Sequence, residues 1–72
     1  MNFFIKIEDL NLYSDYCIAE HLKLDLEEYQ KILIECGAKL GIDDECYFNK
    51  RKDAERCIEK LETYEIMAKI IE

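Results

Sequence analysis

Four cysteines, one histidine and a surplus of carboxylates are the residues of this chain with chemical potential. Cys17, Cys36, Cys46 and Cys57 are spread along the sequence without a C-x-x-C pair. Structural zinc is ordinarily held by paired ligands at short spacing, so this dispersal predicts reduced thiols on or near apolar faces rather than a metal site. His21 has Glu20 beside it and no second ligand nearby, and it reads as a boundary residue rather than a metal ligand or a base. Asp43 and Asp44 form a carboxylate pair of the kind that acid–base chemistry uses. With 17 acidic residues in 72, such pairs arise by chance, and a solvated turn is the simpler account. No G-x-S-x-G, H-E-x-x-H or glycine-rich phosphate loop occurs. The expectation is a binding protein that is not an enzyme and has no catalytic residue, cofactor or metal.

Charge narrows the binding classes. The formal net charge is −7, whereas a DNA-binding domain normally presents a basic face that displaces counterions from phosphate. The segment LEEYQKILIEC has outward positions Glu27, Glu28, Lys31, Ile34 and Glu35, three acids against one base. An apolar residue ringed by acids suits a basic, partly apolar protein surface, so these five are the expected partner-binding residues. The alternative is nucleic acid, read by Gln30 on adenine and by Lys50, Arg51 and Lys52 on phosphate. Three bases at the start of a helix oppose its dipole, which asks for a reason. Asp53 and Glu55 nearby supply one through charge compensation.

These residues are positioned by two helices and the turn between them. Ser14 with Asp15 gives a helix N-terminus, and the first helix is expected over residues 14–22. Lys23 and Leu24 turn the chain, and Asp25 is placed to cap a second helix over residues 26–36. Leu26, Tyr29, Leu33 and Cys36 repeat at three and four, Ile32 widens the stripe, and Gly37 supplies a left-handed stop. Ala19 is small where the helices approach. This is the layout of a helix-turn-helix.

On Ile18, Ala19, Leu22, Leu24, Asp25, Tyr29 and Leu33, and on a later segment NKRKDAERCIEKL, the chain resembles the small winged helix-turn-helix modules of phages and mobile elements, of the excisionase and MerR-like kind. The resemblance spans about residues 14–61 and rests on packing positions. Lys23 stands where that family usually has glycine. The resemblance implies a single winged helix-turn-helix-like domain over residues 1–72, mainly α with a small β element: a short hairpin, or wing, and then a long C-terminal helix. Such folds most often bind DNA, which supports a transcriptional regulator or excisionase-like factor. Size and acidity look instead like a phage-type inhibitor or DNA-mimicking antagonist, a class that includes anti-CRISPR and other anti-defence proteins.

The remaining segments complete the expectation. Phe3, Ile5 and Ile7 alternate with Phe4 and Lys6 as a short strand, whose partners are the segments flanking Ile42, Asp43 and Asp44. Residues 8–13 read as a connector. From about Asn49 onward the spacing of Ala54, Cys57, Leu61, Tyr64, Ala68 and Ile71 predicts one continuous helix. Its last turns, with Tyr64, Ile66, Met67, Ile70 and Ile71, are then apolar nearly all round and must be covered either by Phe3 and Phe4 or by a second copy in a homodimer. Without a signal peptide or membrane span in the sequence, the expected location is the cytoplasm, of the host cell if phage-encoded.

Overall fold

The computed structural model describes residues 2–7 and 14–72; the expected connector 8–13 lies outside them. Among the described residues, three helices and four short antiparallel strands run in the order β1 (Phe4–Ile7), α1 (Asp15–His21), α2 (Leu26–Glu35), β2 (Lys39–Leu40), β3 (Cys46–Tyr47), α3 (Arg51–Glu62) and β4 (Ala68–Ile71). The class is mixed α and β.

The helix starts follow from local chemistry. Ser14 holds extended backbone, and its hydroxyl accepts from the Cys17 N–H at 3.1 Å. Asp25 takes the same position before α2, and its N–H donates to the Glu28 carboxylate at 3.1 Å, the return half of a capping box. Lys50 precedes α3 in extended backbone with no side-chain cap.

All three helices end by one device. A left-handed residue donates to the carbonyl three residues back, and its successor donates to the carbonyl five back, the Schellman arrangement. The pairs are Lys23 to Glu20 and Leu24 to Ala19, then Gly37 to Ile34 and Ala38 to Leu33, then Glu65 to Glu62 and Ile66 to Leu61, all at 2.9–3.1 Å. The φ angles are 61° at Lys23, 110° at Gly37 and 64° at Glu65. Only one of the three is glycine, and a residue with a Cβ in this region gives up about 1–2 kcal/mol.

The third stop corrects the expected C-terminal helix. The chain leaves helix at Glu62, and Ala68–Ile71 is a strand paired antiparallel with β1, Phe4 opposite Ile71 and Ile7 opposite Ala68. Tyr64, Ile66, Met67, Ile70 and Ile71 therefore do not crowd the last turns of a helix. Ile70 and Ile71 face Ile5 and Phe4 across the sheet, so the expected cover by the N-terminal segment takes the form of strand pairing. The helical crowding that motivated a homodimer is absent. The partner of β1 is thus β4, and the β2–β3 hairpin is linked to the β1 end by the Phe3–Phe48 bridge, with N–H to O distances of 2.9 and 2.8 Å.

Between these layers lies a single core. Tyr29, Phe48, Ile18, Leu33, Leu61 and Cys57 are its largest fully buried side chains, joined by Ile5 and Ile7 from β1. Gly37 lies against α3: a Cβ there would come within 2.8 Å of Asp53 Oδ2. Asp53 in turn holds Arg56 at 2.8 Å, and the Arg56 guanidinium donates to the Cys36 carbonyl at 3.2 Å, satisfying the C-terminus of α2.

Candidate functional site

The exposed side of α2 forms one wall of a groove of about 600 Å³. Glu28, Lys31, Ile32 and Glu35 line that wall, Leu22 and Leu24 enter from the α1–α2 turn, and Leu61, Tyr64 and Ile66 close the opposite side. Two helix stops shape it. The Schellman bonds at Lys23 and Glu65 carry Leu24 and Ile66 toward the groove, and the hydrophobic contact usual in that motif places Ile66 beside Leu61. The floor is aliphatic and part-buried, and the charged ends of Glu28, Lys31 and Glu35 stand at the rim in solvent.

The five residues expected to meet a partner, Glu27, Glu28, Lys31, Ile34 and Glu35, are all exposed. Three of them line the groove; Glu27 and Ile34 do not. Ile34 is 47% exposed on the neighbouring strip of α2. Tyr64 and Ile66, expected in self-association, line the groove instead, while Met67 stays in solvent. Leu22, Leu24, Ile32 and Leu61 were not marked as site residues by the sequence. The signal for them is surplus: Ile32 widens the α2 stripe beyond what one packing face uses, and Leu22 and Leu24 flank Lys23 in the turn.

Gln30 is placed differently from the expected base reader. It is buried, and its side-chain N–H groups donate to Asp15 Oδ2 at 3.1 Å and to the Asp44 carbonyl at 2.7 Å. Asp15 Oδ2 also accepts from the Cys46 N–H at 2.7 Å, and the Asp15 N–H donates to Glu45 Oε2 at 2.8 Å. These five residues tie the start of α1, the middle of α2 and the hairpin into one polar lock. Burial, opposed in part by that N–H bond, raises the Glu45 carboxyl above its ordinary value. Inside the same region the Tyr29 hydroxyl is buried with no hydrogen-bond partner among the described residues, and burial together with the Asp15 carboxylate pushes its phenol up.

The bases at the start of α3 are exposed. Arg51 is engaged within the chain, 3.7 Å from Glu72 and with its guanidinium 6.0 Å from the centre of the Phe3 ring. Lys50 and Lys52 extend into solvent.

Cys36, Cys46 and Cys57 are buried and Cys17 is exposed. Burial pushes the Cys46 thiol up to about 12, and burial and the adjacent Cys36 raise Cys57 further. These are poor nucleophiles, since the reactive form is the thiolate. Among the described residues no three His, Cys, Asp or Glu side chains gather to hold a metal ion, and no helix is long and apolar enough to cross a membrane.

Comparison of the chain with protein-family models, curated proteins and solved structures gives no significant match.

Proposed function

We propose that this chain is a small acidic protein-binding module on a helix-turn-helix-type scaffold, acting as an inhibitor or antagonist of a partner with a basic surface. In this reading α1, α2 and the four residues between them supply the scaffold, and the β2–β3 hairpin corresponds to a wing. The observation that carries the reading is the α2 groove, an aliphatic floor with two carboxylates and one ammonium at its rim. Interfaces of this kind take their affinity from a few desolvated apolar anchors, while the charged rim governs approach and partner choice.

The nucleic-acid reading has the weaker support. On the helix that would enter a groove, Gln30 is turned inward and Glu27, Glu28 and Glu35 face out, where phosphate repels them. Lys50 and Lys52 are the bases that favour it.

The test places a photo-crosslinking residue at Lys31 in one sample and at Lys52 in another, in cells that express the chain. Protein adducts at Lys31 are expected, together with no shift of duplex DNA at low salt. A salt-sensitive DNA shift with DNA adducts at Lys52 would overturn the reading. The same logic gives Glu27→Lys with Glu28→Lys a slower association with the captured protein and little change in dissociation.

A further inference from the structure

Resting on that reading, the geometry points to a definite occupant for the groove: a short amphipathic helix of the partner, lying along α2, with two bases seven residues apart and an acid between them. The α2 wall supplies the pattern. Glu28, Lys31 and Glu35 follow one another at three and four residues, and the two carboxylates are seven residues apart, about 10 Å along the helix axis. A helix laid beside α2 repeats at the same interval. Bases at its positions i and i+7 meet Glu28 and Glu35, and an acid at i+3 or i+4 meets Lys31. Its apolar stripe, at the intervening positions, rests on Leu24, Ile32 and Ile66, in the manner of helices that dock in hydrophobic grooves.

Other occupants fit less well. A second copy of the chain would bring another −7 charge and the same carboxylates to the rim. A small polar molecule finds no buried donor or acceptor aimed into the groove, because Glu28, Lys31 and Glu35 all extend into solvent. Phosphate backbone is repelled by two carboxylates of the three rim charges.

The experiment uses the full chain with methyl-labelled isoleucine and leucine and a helix-stabilised peptide carrying Lys at i and i+7, Glu at i+4 and a leucine stripe. Titration is expected to shift the methyl signals of Leu24, Ile32 and Ile66. A peptide with all three charges reversed should bind roughly tenfold or more weakly, as three opposed contacts at a part-exposed rim imply. Lys31→Glu should weaken the first peptide roughly three- to tenfold, and replacing the peptide's Glu by Lys should restore it. Lys31 is exposed, so this variant removes no core contact, and rescue separates contact from stability. Groove methyls that do not move, or equal binding of the charge-reversed peptide, would overturn the inference while leaving protein binding by the rest of α2 standing. With the backbone amides labelled as well, shifts at Lys50 and Lys52 on adding duplex DNA, with none in the groove on adding peptide, would remove both.

Discussion

Replacing Lys23 or Glu65 by glycine should stabilise the protein, although each change deletes a side chain and adds no contact. Both residues hold φ near +60°, where a Cβ crowds the following carbonyl and gives up about 1–2 kcal/mol. Glycine relieves that strain but makes the unfolded chain freer, which takes back about 0.5–1 kcal/mol. The net gain is about 0.5–1 kcal/mol at each site. For a domain of this length 1 kcal/mol moves Tm by about 4–8 °C, so each variant should melt about 2–8 °C higher. The two stops terminate different helices, so the double variant should add the gains. Gly37→Ala is the matched control and should go the other way. It meets the same backbone penalty and also drives a Cβ to 2.8 Å from Asp53 Oδ2, disturbing the carboxylate that holds Arg56 on the Cys36 carbonyl. Urea melts of the four proteins, read at constant m-value, give the numbers. Lys23→Gly or Glu65→Gly that lowers the midpoint, or Gly37→Ala that leaves it unchanged, would refute the account of how these helices end.

Three further outcomes follow from the polar lock. Tyr29→Phe removes a buried hydroxyl that has no partner among the described residues, so stability should hold or rise by up to about 1–2 kcal/mol; a loss above about 1 kcal/mol in a thermal melt would reveal a bond the hydroxyl makes. Gln30→Leu strips two hydrogen bonds and leaves the Asp44 carbonyl and one bond of Asp15 unmet, at about 1–3 kcal/mol; wild-type stability in the same melt would contradict the lock. Glu45 has a folded pKa above its unfolded value, so it binds its proton more tightly when folded. Its contribution is full below the unfolded value and is lost as pH rises through the folded one. Glu45→Gln keeps an oxygen for the Asp15 N–H without that dependence, so its Tm advantage at neutral pH should shrink on mild acidification; an advantage that grows on acidification would sink the argument.

The parts of the fold that were legible are those set by neighbours in sequence. Ser14 and Asp25 announce helix starts because a cap acts within three residues, and Gly37 announces a stop because glycine is the usual left-handed residue. The end of α3 was hidden for the converse reason. Its stop residue is Glu65, a good helix former, and Ala68 and Ile71 fall on the helical seam by their spacing alone. Whether such a segment is helix or strand depends on β1, more than sixty positions earlier, whose pairing no local pattern records. Gln30 was misplaced because a polar residue beside an apolar stripe reads as surface unless its buried partners, Asp15 from α1 and the Asp44 carbonyl from the hairpin, are known. In the groove, the rim charges were legible as an outward face. The floor was not, since a leucine that packs and one that waits for a partner look alike in sequence.

A ribosome releases residues 4–7 early and 68–71 about sixty residues later, yet the two segments are one sheet. At about 5–20 residues per second, roughly 3–12 s separate the synthesis of the two strands. During that interval β1 is an apolar strand with an unsatisfied edge, the kind of segment that pairs with the wrong chain. Each strand carries a lysine at its centre, Lys6 and Lys69, and the register sets them opposite one another. In the nascent chain the same two charges keep each strand soluble until it finds the other. A lysine within each apolar strand is thus a safeguard for the synthesis of the sheet.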